Sequence, residues 1–312
     1  MERKGDMEQT VIEKKVAVSK FAADLNCKVV LGGEAEMLLN TVNVSRPGLL
    51  LAGFTDYFGV NRVQVLGNAE FEYLLAMEAE ARTAALTRLA EQTIPCIIVS
   101  RGREIFPELL TVCGRHHIPL MVSDHTTSSI INLLVMYLNR ELAPSLTRHG
   151  GLLDVYGMGI LLTGKSGIGK SETALEMVKR GHRMIADDSV IIKRIDAKLI
   201  GSCPEMIRYF MEIRGIGIID VRSMYGVGSV LQEKQIDLVV ELENWDENKV
   251  YDRLGDKPLY EEILGVTLPK LIIPVRPGRN LAIILEVAAR NSRLKELGYD
   301  AAKEIINRSL NF

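Results

Sequence analysis

Eight consecutive residues, Gly164-Lys165-Ser166-Gly167-Ile168-Gly169-Lys170-Ser171, constrain this chain more than any other stretch. They match the pattern G-x-x-x-x-G-K-[ST] at every fixed position. A random chain of this length would do so on the order of one time in a hundred. The pattern works only between a strand and a helix. Residues 159–163 are strand-like and the residues from Ser171 to Arg180 are helix-like, so both flanks are present. Glycines let the backbone turn until successive N–H groups point at phosphate oxygens. The helix N-terminus adds partial positive charge at the same place. Lys170 supplies a full charge for the β- and γ-phosphates, and the Ser171 hydroxyl is suited to Mg²⁺. This part of the chain therefore reads as a binding site for a nucleotide or another polyphosphate.

A length of 312 residues points to two domains, at roughly 150 residues each. With 47% hydrophobic and 25% charged residues the composition is that of a globular protein with full cores. The charge balance, 38 − 40 = −2, provides no overall positive field for nucleic acid or an anionic membrane. No apolar run approaches the roughly 18 residues needed to span a bilayer, and MERKGDMEQT does not read as a signal peptide. Cys27, Cys96, Cys113 and Cys203 form no CxxC pair. Buried free thiols and a cytoplasmic location are expected.

Upstream of the phosphate loop, short apolar runs alternate with helical patterns. Strand-like segments fall at 28–31, 94–100 and 118–123, and helical ones at 15–25, 69–91, 104–116 and 126–142. This order implies an amino-terminal α/β domain, residues 1–140, with a mainly parallel sheet. His116, His117 and His125 follow element ends and suit surface or cap roles. Pro144 and the Gly150-Gly151 pair interrupt the pattern, so 141–151 reads as a linker. Residues 152–312 then form a carboxy-terminal P-loop domain. Its strands are expected at 152–156, 159–163, 236–242 and 268–275, with a β-rich segment at 183–195. Helices are expected at 170–181, 280–297 and 299–310. The first ten residues are polar and are expected to lack order.

Further chemistry-bearing residues cluster in this second half. Met184-Ile185-Ala186-Asp187-Asp188 is an apolar strand ending in two carboxylates. Near a phosphate site these could serve a metal and a base separately, or simply form an Asx turn. In Met211-Glu212-Ile213-Arg214-Gly215-Ile216-Gly217, a strand would put Glu212 and Arg214 on one face. Pro274-Val275-Arg276-Pro277-Gly278-Arg279 is a stiff basic loop before a helix, suited to phosphate capture.

Taken together, GKSGIGKS, IADD, EIRGIGIIDV, YDRLG and IPVRPGRN resemble the bacterial HPr kinase/phosphorylase family, across residues 149–290. The resemblance implies a bifunctional, cytoplasmic enzyme that controls carbon catabolite repression and sugar uptake. Such an enzyme phosphorylates a serine of the phosphocarrier protein HPr with ATP or pyrophosphate and Mg²⁺. It also removes that phosphate by attack of inorganic phosphate, releasing pyrophosphate. By the same resemblance Lys170 and the loop hold the β-phosphate or pyrophosphate, and Ser171 and Glu212 bind Mg²⁺. Asp188 exchanges a proton with the serine in both directions. Arg253, in Tyr251-Asp252-Arg253-Leu254-Gly255, is the catalytic arginine, and His149 an active-site residue. The segment from Pro274 to Arg279 serves mainly dephosphorylation, and the family assembles as homohexamers. Two other assignments remain open on the residues alone. One is a kinase for a small molecule such as an organic acid. The other is a nucleotide-sensing regulator whose first half binds DNA or a partner; the near-zero charge weighs against DNA.

Overall fold

The computed structural model describes residues 14–33, 36–252 and 257–310. They fall into two compact units, with the division between Ala143 and Pro144. Among the described residues no helix is long and apolar enough to cross a membrane.

In the first unit five strands form one sheet, in the order Lys28–Leu31, Leu120–Val122, Ile97–Val99, Val63–Leu66, Val44–Ser45. Only Lys28–Leu31 is antiparallel to its neighbour, so the sheet is mainly parallel, as strand–helix alternation predicts. Successive side chains leave a strand on opposite faces. Val63, Val65 and Ile98 accordingly pack with Phe21, Ile130, Leu134 and Leu138 from helices Val18–Asp24 and Thr127–Glu141. Leu66, Ile97 and Val99 pack on the other side with Phe71, Leu86, Leu89 and Leu109.

Residues 69–91 do not form the single helix that their composition predicts. They form two, Asn68–Leu75 and Ala79–Ala90, with Glu78 extended between them. A straight helix over that span would be about 34 Å long. The strands beneath it have three or four residues, roughly 10–14 Å. Burying Leu74 together with Leu86 and Leu89 in one core therefore requires a bend.

The second unit contains two packed sheets. The larger has the order Arg183–Ala186, Gly151–Val155, Met158–Gly164, Leu238–Asn244, Val266–Val275, Leu259–Ile263. Its central strand Leu238–Asn244 runs parallel to both neighbours, and the outer pairings are antiparallel. The smaller is fully antiparallel, in the order Glu233–Gln235, Lys198–Ser202, Ser189–Ile195, Ser145–His149. Leu152, Leu161, Ile185, Val190, Ile192 and Val239 fill the space between them. On the opposite face of the larger sheet, Ile160, Leu162 and Val240 pack against helices Lys170–Lys179 and Leu281–Glu296.

Two segments differ from their sequence reading. The stretch 141–151, read as a linker, carries the strand Ser145–His149, and Gly150 is the point where the chain passes from the smaller sheet to the larger. The β-rich segment 183–195 is two strands in different sheets, with Asp187-Asp188 as the return crossing. Both are sheet corners, where a strand must bend to change sheets.

A third crossing sets a close approach at Gly159. Its N–H donates to Asp237 Oδ2 at 2.8 Å and its carbonyl accepts the Asp237 N–H at 2.8 Å. A Cβ at this position would lie 1.8 Å from the Gln235 carbonyl oxygen, which is backbone and cannot rotate away. Gly159→Ala should therefore destabilise the fold by about 2 kcal/mol or more. Gly114, near the end of helix Pro107–Arg115, has open space around it. Gly114→Ala should stabilise by about 0.5–1 kcal/mol. Thermal unfolding followed by circular dichroism separates the two, and shifts of the same sign would refute the assignment.

Candidate active site

Strand Met158–Gly164 feeds the phosphate loop, which passes into helix Lys170–Lys179 through Gly169. Gly164, Gly167 and Gly169 all take positive φ, the curvature that turns backbone N–H groups inward. Ile168 is buried and anchors the loop to the core below. Lys170 is also buried; its ammonium donates to the carbonyls of Gly164 (2.9 Å) and Lys165 (3.1 Å). These bonds hold the charge at the base of the loop.

The two sheet corners deliver the residues that face it. Register pairs His149 with Ser189, and the Gly150 N–H donates to the Asp188 carbonyl at 3.0 Å. The side chains then meet, His149 Nδ1 lying 3.0 Å from Asp188 Oδ1. Next to His149, Arg148 pairs with Glu261 of the larger sheet's edge strand, and Glu261 also meets Lys270 at 3.0 Å. This tethers the end of the His149 strand.

The adjacent carboxylates occupy different environments. Asp188 is 70% exposed in its side chain and has φ +70°, a left-handed conformation that Asp tolerates better than most residues. Asp187 is buried, and accepts hydrogen bonds from the Ser171 hydroxyl and the Glu212 N–H. Burial pushes its pKa up to about 6. The Asp188 charge adds to the rise, while Ser171, Lys170 and the Glu212 N–H oppose it.

A hairpin, Phe210–Ile213 with Gly217–Asp220, supplies the remaining wall. Glu212 lies on its first strand and Arg214 in the turn. The result is a cleft of about 180 Å³ lined by His149, Ser166, Gly167, Gly169, Lys170, Ser171, Glu172, Asp187, Asp188, Glu212 and Arg214. Every lining residue is polar, charged or glycine.

The structure thus brings together His149, Asp188, Glu212, Ser171, Lys170 and the tip of the phosphate loop. It does not bring the segment 274–279 into this lining. That segment ends strand Val266–Val275; Arg279 donates to the Pro274 carbonyl at 2.8 Å, and the Arg276 guanidinium lies 3.5 Å above the Trp245 ring. Arg253 lies outside the described residues. Sequence reasoning gave no settled role to Asp187 or Arg214 and did not single out Glu172. The signal for Asp187 was the apolar run ending in a carboxylate. For Arg214 it was the alternation with Glu212.

Family models match both halves of the chain. Residues 16–138 match the family model described as the HPr Serine kinase N terminus, and residues 140–309 that of the HPr Serine kinase C-terminal domain. The HPr kinase/phosphorylase of Caldanaerobacter subterraneus is 50% identical over 294 residues, 94% of this chain and 96% of that protein. The HPr kinase/phosphorylase of Alkaliphilus metalliredigens is 46% identical over 297 residues, 95% of this chain and 96% of that protein. The solved Hpr(Ser) kinase/phosphatase from Coxiella burnetii is 38% identical, covers 51% of this chain and 97% of its own, and has a TM-score of 0.47.

Burial of Asp187 gives a stability test. Its pKa in the fold lies above the ordinary carboxylate value, so the fold prefers the protonated form. The resulting destabilisation is absent below the ordinary value, grows as pH rises toward about 6, and levels off above it. Asp187→Asn escapes it. The variant's gain in melting temperature over the parent protein should be larger at pH 8 than at pH 4.5, and a gain independent of pH would show that Asp187 ionises without penalty.

Proposed function

Because the chain belongs to the HPr kinase/phosphorylase family, we propose that this cleft moves a phosphoryl group between ATP or pyrophosphate and a serine of HPr, in both directions. The observation that carries the reading is the His149–Asp188 pair, 3.0 Å apart, on the wall facing the phosphate loop. It sets a proton acceptor where an incoming hydroxyl would meet a loop-held phosphate.

In the forward direction the loop amides and Lys170 hold the donor's phosphates. Asp188 accepts the serine proton as the serine oxygen bonds to the terminal phosphorus and the bridging P–O bond of the donor breaks. His149 orients that carboxylate. In reverse, an oxygen of inorganic phosphate attacks the phosphoserine phosphorus and the serine P–O bond breaks. Asp188 returns the proton to the serine oxygen, and pyrophosphate leaves. One carboxylate is base in one direction and acid in the other, as microscopic reversibility requires. The absence of apolar, Phe, Tyr or Trp side chains from the lining favours donors recognised by their phosphates. ATP and pyrophosphate share that feature.

The donor set fits Mg²⁺. Ser171, Asp187 and Glu212 offer only oxygen, and Asp187 is a buried carboxylate whose ionisation a cation would favour. Among the described residues no group of three or more His, Cys, Asp or Glu side chains converges as a protein-only metal cage. Mg²⁺ is commonly held by one or two carboxylates plus phosphate oxygens. When bound, it would neutralise phosphate charge during transfer.

Arg253 is proposed as the arginine that stabilises charge on the moving phosphoryl. The loop 274–279 is proposed to act mainly in dephosphorylation. Its support is topological: strands Met158–Gly164, Leu238–Asn244 and Val266–Val275 are parallel, so this loop leaves the sheet at the same edge as the phosphate loop. A cytoplasmic location and a homohexamer complete the proposal. Sedimentation velocity reads the assembly, and a monomer at micromolar concentration would overturn it.

The decisive assay incubates purified protein with HPr and Mg²⁺ plus ATP or pyrophosphate, then adds inorganic phosphate to the phosphorylated product. Labelling with both donors and phosphate-dependent reversal are expected; labelling with neither would sink the reading. Lys170→Ala should abolish both directions. Asp188→Asn should lower turnover by roughly 10²–10⁴-fold while nucleotide binding persists. Arg279→Ala should slow dephosphorylation more than phosphorylation.

A further inference from the structure

Among the described arginines of the second unit, Arg214 is the one that lines the cleft beside the phosphate loop. Arg148 pairs with Glu261, Arg180 with Glu176 and Glu286, and Arg183 with Asp154. Arg276 lies over Trp245, and Arg279 bonds the Pro274 carbonyl. Arg214 lines the cleft and, among the described residues, has no carboxylate, carbonyl or ring partner. Glu212, two residues earlier on the same hairpin, does not neutralise it. The guanidinium instead rests on Gly167 at the tip of the phosphate loop. A Cβ on Gly167 would lie 2.7 Å from Nη1, 3.1 Å from Nη2 and 3.2 Å from Cζ. Gly167 also has φ +77°, so a side chain is disfavoured there twice over.

An unpaired guanidinium held against a phosphate loop is poised for an anion. Its planar fork can give two parallel N–H bonds to one phosphate group, and it stays charged at every working pH. Lys170 is anchored at the other end of the loop, on the carbonyls of Gly164 and Lys165. The cleft thus carries two cations on separate supports, one on the loop's own helix and one on the hairpin.

We infer that Arg214 is a second phosphate-binding side chain of this cleft, holding the inorganic phosphate that attacks in the reverse reaction, which is the phosphate left with the donor in the forward one. Lys170 and the loop amides hold that same phosphate from the base of the loop. The inference rests on the phosphoryl-transfer reading given above and adds a residue to it. It also explains why the turn carries an arginine beside a glycine in the loop: a larger residue at position 167 would displace the guanidinium.

The test compares the full chain with Arg214→Gln and Arg214→Lys in two measurements. One is a ³¹P NMR titration with inorganic phosphate in the absence of HPr. The other is the KM for phosphate in dephosphorylation of phosphorylated HPr. Arg214→Gln should weaken phosphate binding and raise that KM by roughly 10- to 100-fold, the worth of a charge-assisted hydrogen bond or two. Its melting temperature should stay at the parent value, and Arg214→Lys should recover part of the loss. Unchanged phosphate affinity in Arg214→Gln would overturn the inference. So would an equal loss in both variants accompanied by a lower melting temperature, since Arg214 would then only brace the loop. Phosphate binding is read without HPr, so a failure of the HPr reading stays distinguishable. A parent chain that binds phosphate through Arg214 but never labels HPr would defeat the protein-kinase reading alone.

Discussion

The parallel pairing of Met158–Gly164 with Leu238–Asn244 is the constraint on which the catalytic unit depends. It places Gly164 opposite Leu242, and the next parallel pair places Asn244 opposite Val275. Three consecutive strands thereby end at one edge, where ligands of parallel α/β sheets gather. The loop backbone takes positive φ at several positions, which a free peptide would rarely sample together. Such a conformation persists only where its surroundings determine it. Here the strand below is buried on both faces: Leu161 packs between the sheets, and Ile160 and Leu162 pack under the helices. Each such side chain contributes roughly 1.5–3 kcal/mol on burial. Apolar packing thus holds a polar loop in a shape it would not otherwise keep.

The same packing explains why chemistry concentrates at two corners. A strand that changes sheets must break its ladder, leaving backbone groups and side chains free for other uses. Gly150 and Asp187-Asp188 are such breaks, and they are joined by the Gly150 N–H to the Asp188 carbonyl. His149 and Asp188 are far apart in sequence, yet the antiparallel register of Ser145–His149 with Ser189–Ile195 leaves them side by side. Their meeting is a product of sheet topology. Each corner is braced from behind, one by the Arg148–Glu261 pair and the other by the hydrogen bonds on Asp187.

Local features of this arrangement were legible in the sequence, and long-range ones were not. The phosphate loop, its flanking strand and helix, and the mainly parallel amino-terminal sheet follow from residue pattern over short windows. The bend within 69–91 does not, because Ala, Leu, Glu, Met and Arg dominate there and only the short strands beneath forbid a straight helix. Residues 141–151 look like a linker because a sheet corner and a linker use the same residues, proline and paired glycine. Ser145–His149 lacks the apolar alternation of a buried strand, since its outer face carries Ser145, Thr147 and His149 and its inner face combines Leu146 with Arg148, which meets Glu261. Arg214 was visible as a cation near Glu212, but its place over Gly167 depends on how the hairpin folds back. A pattern with no fixed spacing to the loop cannot encode that.

The adjacent carboxylates show how one dipeptide can be divided between two environments. In sequence Asp187 and Asp188 are equivalent, and an Asx turn would have explained both. In the fold one turns inward among Ser171, Lys170 and the Glu212 N–H, and the other turns outward to His149. Desolvation raises the proton affinity of the first. A buried carboxylate in that state is poorly suited to receive a proton from a substrate that must approach through solvent. It is well suited to a cation, whose charge offsets the burial. The outward carboxylate has the opposite profile: accessible, oriented by an imidazole and close to the loop. Environments that push two like groups apart mark separate chemical roles. The left-handed backbone at Asp188 is what separates them, since an extended residue there would carry the chain on in the direction of strand Arg183–Ala186 and away from His149.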